Sequence, residues 1–163
     1  MLIAFTGKMG SGKSTAMQIL TEQAYSGIYV TAKFAQPLYD IQEFIYSRIS
    51  PAYVRPEGFV KDRKLLQWLG TEWGRGTISN SLWIDLWKSK VENHAEGLVA
   101  MCDDVRFDNE AQAVRDLGGA VIHIVGPSRG VDLGIINHAS EGGINPALID
   151  FTIHNTGTKM MFD

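Results

Sequence analysis

The segment Gly7-Lys8-Met9-Gly10-Ser11-Gly12-Lys13-Ser14 decides how this chain is read. It fits the spacing G-x-x-x-x-G-K-[ST], in which each residue type has a physical task. The glycines let the backbone turn tightly and aim successive N–H groups at phosphate oxygens. A helix opening near Lys13 adds the positive end of its dipole. The Lys13 ammonium reaches the outer phosphates of a nucleoside triphosphate, and the Ser14 hydroxyl is suited to Mg2+. The expected ATP-binding set is therefore Gly7, Lys8, Met9, Gly10, Ser11, Gly12, Lys13, Ser14 and the adjoining Thr15.

The flanks supply the context this motif requires. Leu2 to Thr6 is a short apolar run, as in a buried parallel strand, and residues 13–24 show helical spacing through Ala16, Ile19 and Leu20. Further on, Ile28 to Phe34 reads as a strand, and Pro37 opens a helix running to about Ile49. Residues 50–60, with Pro51, Pro56 and Gly58, read as a loop. Helices are expected over Asp62 to Trp73 and over Leu82 to Glu96, the second capped by Ser81 and stopped at Gly97. Leu98 to Cys102 reads as a strand that ends in Asp103-Asp104. Asp108 is placed to cap a helix over Asn109 to Leu117, and Ala120 to Val125 and Phe151 to His154 read as the last strands. Strands alternating with helices imply an α/β protein with a central parallel sheet and helices on both faces, the three-layer P-loop NTPase fold.

A chain of 163 residues suits one domain spanning 1–163, with an acceptor-binding region at about 35–97 and a lid-like loop at about 126–143. Hydrophobic residues make up 45% and charged residues 20%, as in an ordinary globular protein. A net charge of −3 argues against a broad nucleic-acid face, which needs clustered Lys and Arg. Cys102 is the single cysteine, so no intramolecular disulfide forms, and its apolar surroundings read as core. No apolar stretch approaches the roughly 20 residues of a membrane span. The opening apolar run is too short for a signal peptide, so the expectation is a soluble, cytoplasmic protein. The four histidines lack metal-ligand spacing.

A P-loop specifies triphosphate binding, not what is done with it. Asp103 and Asp104 end a strand at the sheet edge where α/β proteins bind ligands. Asp103 is assigned to the metal with Ser14 and Asp104 to catalysis with Lys13 and Arg106, although the sequence leaves the two aspartates interchangeable. Transfer between two anionic phosphates needs cations, and the planar fork of Arg grips phosphate well. Arg63, Arg75, Arg106 and Arg129 lie in expected loops or near helix ends. Arg75 and Arg106 stand first among them, and Arg129, in Gly126-Pro127-Ser128-Arg129-Gly130, is placed on a lid over ATP. Of the four tryptophans, Trp87 reads as core, whereas Trp83 is open to either core packing or stacking on a nucleobase.

Several stretches together resemble the deoxynucleoside monophosphate kinases of tailed bacteriophages. They are the P-loop, Lys33-Phe34-Ala35-Gln36-Pro37-Leu38, the run from Leu66 to Arg75 containing Gly70-Thr71-Glu72, and Trp83-Ile84. Asp103-Asp104-Val105-Arg106-Phe107-Asp108-Asn109-Glu110-Ala111, His138-Ala139-Ser140-Glu141 and Ile153-His154-Asn155-Thr156-Gly157-Thr158 complete the set, in the family's order. The resemblance implies an adenylate-kinase-like core, ATP as donor, Mg2+, and a deoxynucleoside monophosphate as acceptor. It places the acceptor near Phe34, Gln67, Arg75, Trp83 and Arg106, with Arg63 as a further cation, and it implies a homodimer. Partners are then small-molecule nucleotides, with no nucleic acid and no membrane. Kinases of other small metabolites, such as dephospho-coenzyme A or shikimate, share the P-loop. A GTP-dependent switch would need an Asn-Lys-x-Asp segment, and the chain has none.

Overall fold

The computed structural model describes residues 1–23, 28–49, 61–93, 97–126 and 142–156. The expected loop at 50–60 and nearly all of the lid-like loop, Arg129 included, lie outside the described residues. Among the described residues, five strands form one sheet: β1 (Leu2–Thr6), β2 (Tyr29–Thr31), β3 (Val99–Val105), β4 (Ala120–Val125) and β5 (Phe151–His154). Their order is β2-β3-β1-β4-β5, and every pairing is parallel. The helices are α1 (Lys13–Gln23), α2 (Gln36–Arg48), α3 (Arg63–Gln67), α4 (Leu82–Glu92) and α5 (Asp108–Asp116), with a π-helix over Trp68–Ile78. No described helix is long and apolar enough to cross a membrane.

Parallel pairing buries both faces of the sheet, and the alternation of side chains shows how. Leu2 and Ala4 of β1, with Ala100 and Cys102 of β3, join Ile84, Trp87, Ala111 and Val114 in the main core. Phe5 and Met101 point the other way and are also buried, on the side where α1 packs against β1 and β3. The sequence therefore yields a three-layer sandwich because its strands are apolar at successive positions rather than at alternate ones. Trp87 is core as expected: it stacks on Phe34 at 4.3 Å, and its indole N–H donates to the Ala32 carbonyl at 2.8 Å.

Five local expectations change. Strand β2 stops at Thr31 because Lys33-Phe34-Ala35 turns inward, where the Phe34 and Ala35 amides donate to Asp104. Strand β3 runs on through both aspartates to Val105, with a register shift against β1 (Ala4 aligns with Cys102, Thr6 with Val105). The helix expected over Asp62 to Trp73 is short α3, capped by Asp62 accepting from the Leu65 amide, and it passes directly into the π-helix. Finally, Asp108 does not cap α5; Phe107 holds that position, and Glu110 reaches back to its amide. Asp108 instead accepts from the Asn145 amide at 2.7 Å. Ser81 likewise precedes α4 without a capping bond, its hydroxyl donating to Asp85.

The π-helix owes its course to tertiary contacts. Trp83 is 3% exposed and its indole N–H donates to the Gly70 carbonyl at 2.8 Å. The same ring lies so close to Gly74 that a Cβ there would collide with it. A wide turn rich in glycine lets the backbone accept an indole where an ordinary helix would present side chains. Gly74→Ala is therefore expected to cost roughly 1–3 kcal/mol of unfolding free energy in urea titration. Gly76→Ala, whose Cβ meets only ordinary contact with the Thr71 carbonyl, is expected to leave stability nearly unchanged.

Candidate active site

The strand order reverses around β1, and a crevice opens at the carboxyl ends of β1 and β3, the place where such sheets bind ligands. The P-loop lies there, between β1 and α1. Gly7 has φ +138°, and a Cβ on it would run into the Ile124 carbonyl, so only glycine fits. The Ser11 amide donates to the Lys8 carbonyl at 3.1 Å, closing the loop over the start of α1. Lys13 curls back across it, donating to the carbonyls of Gly7 at 2.7 Å and Lys8 at 2.9 Å. That posture holds the ammonium group against the backbone of the P-loop. From the far side, the Asn155 amide group donates to the Ser11 carbonyl at 2.9 Å and so braces the loop.

The two adjacent aspartates go to different partners. Asp103 accepts from the Ser14 hydroxyl at 2.5 Å and pairs with Lys33 at 2.8 Å. Burial pushes the Asp103 carboxyl up, but Lys33 and Ser14 pull it below its ordinary range. Lys33, despite burial, is held above its ordinary value by the same partner. Asp104 accepts from the Phe34 amide at 3.1 Å and the Ala35 amide at 2.9 Å, and the Cys102 thiol lies 3.0 Å from it. Its oxygens are thus occupied in holding the turn into α2. Asp103 therefore lies against the P-loop serine, while Asp104 holds the turn and also lines the neighbouring cavity.

Beside the P-loop lies a cavity of about 280 Å³. Arg63, Arg75 and Arg106 bring cations to it, and Gln67, Phe34 and Trp83 form part of its wall. The structure therefore gathers every expected acceptor residue around one space. Their roles differ, however. Trp83 is packed against Gly70 and Gly74 and acts as wall, not as a free stacking platform. Phe34 is 2% exposed and already stacked on Trp87. Met9 of the P-loop also borders this cavity. Thr15, on the first turn of α1, is half-buried behind the P-loop.

The residues that sequence reasoning missed are Glu110, Lys33 and Asn155. Glu110 is 4% exposed, and one oxygen meets Arg75 at 2.5 Å while the other accepts from the Arg106 amide at 2.7 Å and the Phe107 amide at 3.1 Å. Its position at the third residue of α5 was the available signal, since Glu there reaches back to the cap. Burial pushes its carboxyl up to about 7, with the Arg106 amide and Arg75 pulling the other way. Burial likewise lowers Arg75 below its ordinary range, against the pull of Glu110.

A family model described as deoxynucleotide monophosphate kinase matches residues 59–162. The deoxynucleoside-5'-monophosphate kinase of Escherichia phage T5 is 28% identical over 102 residues, covering 60% of this chain but 40% of that protein's length. Among solved structures, TT1252 from Thermus thermophilus superposes with a TM-score of 0.51 at 16% identity, covering 97% of this chain and 90% of that one. At that identity the likeness is one of fold alone.

The Glu110 carboxyl carries a pH prediction. Its folded value lies above the ordinary 4.5, so the folded state holds the proton more tightly than the unfolded state. The resulting stabilisation is full below about 4.5 and is lost as pH rises to about 7. Relative to Glu110→Gln, which cannot titrate, the unmodified protein is expected to lose unfolding free energy across that window, followed by urea unfolding at several pH values.

Proposed function

Because the chain belongs to the deoxynucleotide monophosphate kinase family, we propose that it transfers the γ-phosphoryl group of ATP to a deoxynucleoside monophosphate. The observation that carries this reading is one cavity lined by Arg63, Arg75 and Arg106 and, from the P-loop, by Met9. A phosphate donor site and a cationic acceptor site side by side is what transfer between two phosphates demands. The family match begins at residue 59, so the P-loop at 7–14 supports the reading from outside the matched segment.

The division of labour follows from the contacts. Amides of residues 7 to 14 and the N-terminus of α1 hold the triphosphate. Lys13 leaves the Gly7 and Lys8 carbonyls for the stronger attraction of the β- and γ-phosphates. The arginines hold the acceptor phosphate in line and offset the repulsion between two anions. No covalent enzyme intermediate is needed, since an ionised phosphate oxygen is already a nucleophile. Ser14 and Asp103 are hard oxygen donors in mutual contact, a set that suits Mg2+, which takes one or two protein oxygens beside substrate phosphates and water. Bound there, the ion would neutralise charge on the phosphates. Among the described residues no group of three or more His, Cys, Asp or Glu side chains is arranged to hold a metal ion.

A panel of deoxy- and ribonucleoside monophosphates, each with ATP and Mg2+ and read by ADP release, tests the reading. The expected result is turnover with at least one deoxynucleotide. Release of ADP with none of them, while another phosphorylated or hydroxylated metabolite serves, would remove the acceptor assignment. Lys13→Ala is expected to lower kcat roughly 100- to 1,000-fold with an unchanged melting temperature. Near-normal turnover in that variant would defeat the mechanism.

A further inference from the structure

One carboxylate in the acceptor cavity touches both arginine-bearing segments, and the roles given above leave it unused. Glu110 projects from the first turn of α5, and its two oxygens face different elements. One meets the Arg75 guanidinium on the π-helix; the other accepts from the Arg106 and Phe107 amides at the end of β3. We propose that Glu110 is a positioning residue, which fixes the Arg75 guanidinium and the Arg106 segment in one arrangement fitted to the acceptor phosphate. The proposal rests on the functional reading above.

The rest of the cluster shows how thoroughly Arg75 is held. Its guanidinium lies over the Phe107 ring at 4.1 Å. One nitrogen donates to the Asn80 carbonyl at 3.2 Å and approaches the Asn109 side-chain oxygen at 3.5 Å. Asn109 itself donates to the same Asn80 carbonyl at 3.2 Å. These contacts engage three of the five N–H groups an arginine carries, leaving about two for a phosphate. The planar group is fixed by a ring below it, a carbonyl on one side and a carboxylate on another. Its orientation is set before the ligand arrives, which removes much of the ordering cost of binding.

Glu110 is the part of this frame that cannot be replaced by a neutral group. A glutamine has one acceptor oxygen where the glutamate has two, so it can serve Arg75 or the amides of residues 106 and 107, but not both. The charges that face it are Arg75 from the π-helix and Asp104 from β3. Asp104 opposes its ionisation and Arg75 favours it, so tests belong near pH 8, where the carboxylate is charged.

The experiment is a double-mutant cycle on steady-state kinetics. Glu110→Gln is expected to raise the KM for the deoxynucleoside monophosphate about tenfold or more while leaving the KM for ATP unchanged. In an Arg75→Ala background, the same substitution is expected to add little, because with Arg75 gone the single glutamine oxygen can serve the amides of residues 106 and 107. Effects that multiply across the two sites, or an equal rise in both KM values, would overturn the positioning role. If Glu110→Gln does not fold by circular dichroism, Glu110→Asp replaces it in the cycle. That variant keeps the charge but loses one methylene of reach, and the same pattern is expected. A wild-type protein that phosphorylates no deoxynucleoside monophosphate overturns the functional reading and this role together. Turnover by wild type with an unchanged acceptor KM in the variants overturns only the role of Glu110.

Discussion

Withdrawing a carboxylate from water is tolerated only where donors replace the water it leaves. Three such groups at the carboxyl edge of β3 and the start of α5 organise this molecule. Asp103 takes the Ser14 hydroxyl and Lys33, which ties β3 to the P-loop. Asp104 takes the Phe34 and Ala35 amides, which ties β3 to the mouth of α2. Glu110 takes Arg75 and two amides, which ties α5 to the π-helix. Each acid fastens a different component of the site to the same sheet edge, so the P-loop, the mouth of α2 and the π-helix that carries Arg75 share one reference.

The apolar core serves the same end from below. Trp87 stacks on Phe34 and bonds the Ala32 carbonyl, so the turn that Asp104 grips is also packed from beneath. Trp83 does the equivalent for the π-helix, through the Gly70 carbonyl and the bare face of Gly74. The two tryptophans sit on one face of α4 and support two adjoining walls of the cavity. Burying large aromatic rings directly under a polar site keeps its geometry stiff.

Much of the plan was legible without coordinates. The P-loop, its strand and its helix follow from glycine placement and apolar runs, and the parallel sheet follows from alternation of strands and helices. The residues expected around the acceptor do line one cavity. What escaped was finer. Strand β3 runs further than expected because paired aspartates look like strand terminators yet stay within the strand, and β2 ends earlier because Asp104 draws the Phe34 and Ala35 amides out of its line. The π-helix escaped because its cause, an indole drawn to Gly70 from thirteen residues away, leaves no periodic mark.

Local chemistry alone determined that this chain folds as an α/β sandwich with a phosphate-binding loop at its head, since glycine freedom and hydrophobic spacing act over a few residues. Only the tertiary structure decided which aspartate meets Ser14, that Trp83 is wall, and that Glu110 joins Arg75 to the Arg106 segment. Those outcomes depend on which groups are brought together from distant parts of the chain, and the demand that each buried charge find donors is settled only once the layers have closed.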